Sequence, residues 1–156
     1  MVFRYESEAV PKVIRKLKVE INAREHFTLL GHHYINYAVN SGWFKGSTQI
    51  PTFFLEEMLA TKLRALYQRR KGRDLFDLYT VMNEQEINLL NVVDMMHEYL
   101  RREGTKITSA DFIANLDEKM KDPNFLGDTE ALLRPEINFN SKKAWQIIKR
   151  QIFENI

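Results

Sequence analysis

Apolar and polar residues alternate one by one near the start of the chain and change to a helical rhythm after Pro51. From Arg15 to Asn22 the alternation puts Leu17, Val19 and Ile21 on one face and Lys16, Lys18 and Glu20 on the other, which predicts a half-buried strand. Tyr34 to Val39 and Gln49 to Phe54 are two further β-rich stretches, bounded by Asn40-Ser41-Gly42 and Lys45-Gly46-Ser47, which have turn compositions. The first third therefore reads as a small, mostly antiparallel sheet.

Beyond Pro51, Leu55, Met58, Leu59, Leu63 and Leu66 recur at helical spacing behind Thr52, a candidate cap, and Gly72 is the expected stop. A second helix is predicted from Arg73, with Leu75, Phe76, Leu78, Tyr79 and Met82. A third runs from Glu86 to Arg102, with Leu89, Leu90, Val93, Met96 and Leu100 turned inward. Thr108 with Asp111 has the form of a capping box for a fourth helix, which Pro123 is expected to stop. Asn140-Ser141 introduces a last helix containing Ala144, Trp145, Ile148 and Ile152, after an extended connection over Arg134 to Asn138. The order of strands then helices predicts an α+β fold: a partial sheet over 1–54 and a helical bundle over 55–156, packed as one globular unit. No internal repeat or low-complexity tract interrupts it.

Composition narrows the chemistry. With 156 residues, 44% hydrophobic and 28% charged, the chain is long enough for one core. It has no apolar run of the roughly 20 residues a membrane helix needs, and its start lacks the layout of a signal peptide, so a cytoplasmic protein with no membrane contact is expected. The absence of cysteine excludes disulfides, thiol catalysis and thiolate metal sites. A net charge of +2 is too small to announce a nucleic-acid binder unless the charge is concentrated. His32 and His33 would face opposite ways on a strand, and His26 and His97 have no zinc-type spacing. Trp43 and Trp145 are assigned to the core or an interface.

The informative stretch is Glu56 to Leu78. Leu55, Leu59, Lys62, Leu66 and Arg69 share one helical face, so Lys62 lies among residues expected to be buried. A desolvated ammonium costs several kcal/mol unless it meets a carboxylate, a phosphate or water. Asp74 and Asp77 on the next helix, and Glu20 on the strand, are the candidate partners. One reading is a salt-bridge network of Lys62, Arg69, Arg73, Asp74 and Asp77 that fastens two helices. The other is a phosphate-binding lysine beside catalytic carboxylates. Spacing alone leaves both open.

The string Glu57-Met58-Leu59-Ala60-Thr61-Lys62-Leu63-Arg64-Ala65-Leu66, with Arg69, Arg73-Asp74 and Asp77-Leu78, resembles the helical signature of the AbiEii/AbiGii toxin-family nucleotidyltransferases. Lys16 to Asn22 followed by Arg24-Glu25 resembles the strand that precedes it, and Asn115-Leu116, Lys119, Asp122-Pro123, Phe125 and Asp128 resemble its tail. The resemblance implies a nucleotidyltransferase sheet with a helical C-terminal part, and transfer of a nucleotide from a nucleoside triphosphate to an acceptor with Mg²⁺. By position it makes Glu20 the third carboxylate and a metal ligand, Lys62 the triphosphate contact, and Asp74 a base or metal partner. Arg69 and Arg73 become candidate phosphate or acceptor contacts with a structural role favoured, and Asp77 a helix-packing partner. It also implies a cognate antitoxin.

Complete enzymes of this type resemble one another in a Gly-Ser turn and an Asp-x-Asp pair ahead of the Glu20 strand. Here there is no glycine before Gly31 and no Asp-x-Asp pair. Glu6-Ser7-Glu8 is a poor substitute, and Gly46-Ser47 comes in the wrong order. The expectation is a truncated or split nucleotidyltransferase, inactive unless the missing half is supplied. Two alternatives are a non-catalytic module that binds a protein, and an RNA-binding domain using the basic cluster Tyr67 to Arg73. A homodimer through an open sheet edge is a further candidate.

Overall fold

The computed structural model describes residues 1–21 and 26–154. Arg24 and Glu25, and the end of the strand expected to reach Asn22, lie outside the described residues. Two antiparallel hairpins come first: β1 (Val2–Glu6) with β2 (Ile14–Lys18), and β3 (His33–Asn40) with β4 (Lys45–Thr52). They are separate two-stranded sheets rather than one. The α+β reading holds, with α1 (Leu55–Gln68), α2 (Gly72–Glu84), α3 (Leu89–Arg102), α4 (Ser109–Lys119), α5 (Pro123–Gly127) and α6 (Ser141–Ile148), which runs into a π-helical segment, Lys149–Glu154.

Several local expectations need correction. Strand β2 begins at Ile14 and ends at Lys18, although Val19 still donates its N–H to the Met1 carbonyl. Leu17, Val19 and Ile21 are exposed instead of half-buried, because among the described residues no helix packs closely over that hairpin face. Strand β1 was too short to stand out as a pattern. Lys45-Gly46-Ser47 belongs to β4, and the turn sits earlier, where Ser41 N–H donates to the Phe44 carbonyl at 2.9 Å. Gly46 fits a strand because the Phe44 ring folds over the space a side chain would fill.

Thr52 closes β4 opposite His33 instead of capping a helix, and α1 has no side-chain cap. Gly72 opens α2 and does not close α1. Helix α3 starts at Leu89 behind Asn88, whose side chain accepts from Asn91 N–H, and Leu90 faces solvent. The Thr108–Asp111 capping box is present in both directions. Helix α4 ends before Pro123, which starts α5 behind the Asp122 cap, as suits a residue with no N–H to lose in a first turn. Trp43 is exposed, whereas Trp145 is buried and donates to Asp117 Oδ1 at 2.7 Å.

The core lies wholly among the helices. Helix α1 packs on α3 and α2, and α2 packs on α6. Leu63, Leu66, Leu75, Leu78, Met96, Leu100, Phe112, Leu116, Phe125 and Ile148 are at most 1% exposed. Each such side chain contributes roughly 1.5–3 kcal/mol of burial, so stability resides in the helical bundle and not in the hairpins.

Candidate functional site

The end of α1 and the start of α2 meet around the tight connection at Arg69 to Lys71, and their facing sides carry the charged residues. Lys62 Nζ, on α1, is 2.5 Å from Asp77 Oδ2 and 3.8 Å from Asp74 Oδ1, both on α2. Its side chain keeps 35% exposure, so the ammonium lies at the mouth of the helix seam. Asp74, with no exposed side-chain surface, accepts two bonds from one guanidinium: Arg69 Nε at 2.7 Å and Nη2 at 2.6 Å. This bidentate pair is the strongest geometry available to two such groups, and its hydrogen bond raises the already high pKa of Arg69.

A second knot lies beside the first. Arg73 donates to the Asp128 carboxylate through Nε at 3.0 Å, Nη2 at 3.1 Å and its backbone N–H at 3.2 Å. Lys71 Nζ is 3.6 Å from the same carboxylate. Held first by the Arg73 guanidinium, Asp128 has its pKa pulled down to about 2. Arg70 pairs with Asp122 at 3.3 Å. Each cation from Arg69 to Arg73 is therefore matched by a carboxylate.

The structure thus brings Lys62, Arg69, Asp74 and Asp77 together and sets Arg73 beside them with Asp128. Glu20 is elsewhere in the bonding pattern: exposed beyond β2, it pairs with Lys18 at 2.5 Å. A profile of the family described as "Nucleotidyl transferase AbiEii toxin, Type IV TA system" matches residues 1–155. The chain belongs to the AbiEii nucleotidyl transferase toxin family. No curated protein and no solved structure matches it.

Three polar residues of this AbiEii-family chain that the resemblance includes but gives no role are buried or tightly bonded. Glu57 has no exposed surface and accepts from Leu29 N–H at 2.6 Å, Leu30 N–H at 3.1 Å and Tyr99 hydroxyl at 2.6 Å. Asp128 is the anchor of Arg73. Lys119 is 4% exposed and its ammonium donates to the Leu66 and Tyr67 carbonyls, both at 2.6 Å, closing the C-terminal end of α1. The signal was available: Lys119 continues the buried stripe Phe112, Leu116, and Glu57 lies one turn before buried Ala60, the same kind of interleaving that singled out Lys62.

Burial, helped by the Arg70 charge and opposed by Asp74, lowers the Lys119 pKa to about 8 from 10.5. Between those two values the unfolded chain binds a proton that the folded chain has lost, so stability should rise with pH across that window. Relative to Lys119→Met, the wild type should gain about 2–3 kcal/mol in urea unfolding between pH 8 and pH 10.5. A flat difference across the window would show that the α1 carbonyls hold the amine charged despite its burial.

Magnesium, implied by the resemblance, is poorly served by these residues. Among the described residues no group of three or more histidine, aspartate or glutamate side chains could hold a metal ion. Both Asp74 oxygens are committed to Arg69 and both Asp128 oxygens to Arg73, leaving few of the carboxylate ligands Mg²⁺ requires.

Proposed function

We propose that the chain supplies the nucleotide-contacting helical part of a nucleotidyl-transfer centre, which moves a nucleotide from a nucleoside triphosphate to an acceptor such as RNA. It does so together with a carboxylate-bearing segment that is not among these 156 residues. The observation that carries this reading is Lys62: a lysine on a core-facing stripe whose ammonium nevertheless reaches the seam mouth, held by a carboxylate that is itself 40% exposed. Such an ion pair can open at small cost, since Asp77 returns to water as a triphosphate oxygen takes its place. The lysine then offsets negative charge gathering on the transferred phosphoryl group.

Arg69 and Asp74 have a different part. Their bidentate bond fixes the end of α1 against the start of α2, so they position Lys62; a proton-accepting role for Asp74 would require those bonds to open. Arg73 acts as the anchor of α2 on Asp128. Glu20 enters this proposal from the resemblance alone: exposed and paired with Lys18 outside the α1–α2 seam, it would be the third carboxylate and one oxygen ligand for Mg²⁺ alongside those of the second segment. Among the described residues no helix is long and apolar enough to cross a membrane, and a cytoplasmic setting belongs to the same proposal.

Titration calorimetry with each of the four ribonucleoside triphosphates tests this. Lys62→Ala should weaken binding at least about tenfold, as loss of a charge-assisted hydrogen bond worth ~1.5–3 kcal/mol requires, with an unchanged melting temperature. Equal affinity in a folded variant would remove Lys62 from the nucleotide site.

A second reading, a module that binds a cognate antitoxin, draws on a different observation. Between His26 and Leu55 the sole Asp, Glu, Lys or Arg is Lys45, and Tyr34, Ile35, Tyr37, Trp43, Phe44 and Ile50 are all exposed. Under that reading the chain would bind protein and no triphosphate. Light scattering of the isolated chain separates either case from a homodimer.

A further inference from the structure

The basic cluster at the α1–α2 connection is neutralised by carboxylates, which turns attention to cations that have none. Among the described residues of the helical region, the exposed cations Lys106, Arg134, Lys142, Lys143 and Arg150 make no ion pair. Three of the five lie on α6 and its π-helical continuation. Lys142, Gln146 and Lys149 follow one another at four and three residues, as do Lys143, Ile147 and Arg150, so two parallel rows of cations run along one exposed surface. Asp117, a carboxylate beside these rows, is occupied by Lys149 at 3.2 Å and by the Trp145 indole.

From this we infer that the outer face of α6 and the π-helical segment is a docking surface for the phosphodiester backbone of a nucleic acid. Three features favour that partner. The cations flank two shallow depressions: one of about 460 Å³ lined by Lys143, Gln146, Ile147, Lys149 and Arg150, the other of about 290 Å³ bordered by Asp117, Lys142, Gln146 and Lys149, with only the edge of the buried Trp145 reaching it. Lys142 and Lys149 are about 10 Å apart along the axis at 1.5 Å per residue, close to three nucleotide steps of ~3.4 Å. The opposite face, Ala144, Trp145, Ile148 and Ile152, is buried in the core. No apolar side is left to enter a bilayer, so an anionic membrane is a poorer match to the same charges.

The surface is independent of the triphosphate assignment, since Lys62 is paired in the α1–α2 seam. Its test is fluorescence anisotropy of a labelled RNA stem-loop, and of the same sequence as DNA, across a range of salt concentrations. Affinity should fall with salt, and Lys142→Ala/Lys143→Ala/Arg150→Ala should reduce the slope of log affinity against log salt by about 2–3, one unit or slightly less per lost phosphate contact. Arg4→Ala/Lys16→Ala, on the first hairpin, should leave it unchanged. Equal binding of RNA and DNA assigns the surface to the phosphodiester backbone in general, and stronger RNA binding assigns it to RNA. A folded triple variant with the wild-type slope, an equal loss in the hairpin variant, or binding to anionic vesicles but not to either nucleic acid would overturn the inference.

Discussion

Glu57→Ala should destabilise the protein by about 3–5 kcal/mol, because it removes a fully buried carboxylate that satisfies three donors, one of them buried and two partly so. The Leu29 and Leu30 N–H groups and the Tyr99 hydroxyl all point at it, and Tyr99 is 1% exposed. An alanine takes this acceptor away from all three. Glu57→Gln should cost about half as much, since one amide oxygen remains but an NH2 group then faces a backbone N–H. The connection has a structural consequence as well. Phe27 stacks on Tyr99 at 5.1 Å and the Arg102 guanidinium lies 4.2 Å from the centre of the Phe27 ring, so Glu57 fastens the segment leading into β3 onto α1 and α3. Chemical denaturation gives the size of the loss, and amide exchange at Leu29 and Leu30 should accelerate in parallel. An alanine variant within about 1 kcal/mol of wild type would mean that this carboxylate is not the staple described.

Where the sequence carried a periodic apolar stripe, it was readable. The α1 stripe through Leu59, Leu63 and Leu66, the two-way cap of Thr108 and Asp111, and the Asn140 start of α6 all rest on local chemistry that needs no knowledge of the rest of the chain. The failures have a common cause in tertiary partners. Pro123 does follow the end of α4 as a stop should, but it also opens α5, a second role that depends on how α4 and α5 pack. The alternating strand residues pointed to a buried face, yet alternation fixes only which residues share a side. Whether anything covers that side is decided by other elements, and Leu17 is left exposed. The site was legible in its members but not in their pairing: Lys62, Asp74 and Asp77 emerged from spacing, whereas the bond from Arg73 to Asp128 spans 55 positions. No periodicity of a single helix encodes that bond.

Gly72→Ala is expected to cost about 2–4 kcal/mol, although the backbone there is not in a glycine-only conformation. The reason is space. A side chain at Gly72 would overlap the carbonyl oxygen of Phe125, and Phe125 is fully buried, so α5 can yield only by drawing a phenyl ring out of the core. The damage should reach the charged knot next door. Arg73 follows Gly72 and Asp128 follows Phe125 by three residues, so any parting of α2 from α5 lengthens the 3.0–3.2 Å bonds between them. Asp128, now at about 2, should then titrate closer to the ordinary aspartate value of ~3.9. A carboxylate with a depressed folded pKa stabilises the fold above its unfolded pKa and loses that contribution as pH falls towards 2, so the variant should lack part of the wild type's acid-dependent loss. Carbon-detected NMR titration of Asp128 reads the pKa, and Arg73→Ala provides the same electrostatic change without the added volume. If Gly72→Ala melts like the wild type and Asp128 does not move, then α5 is not pressed against the start of α2, and the spacing that presents Lys62 at the seam is set by the Arg69–Asp74 bond alone.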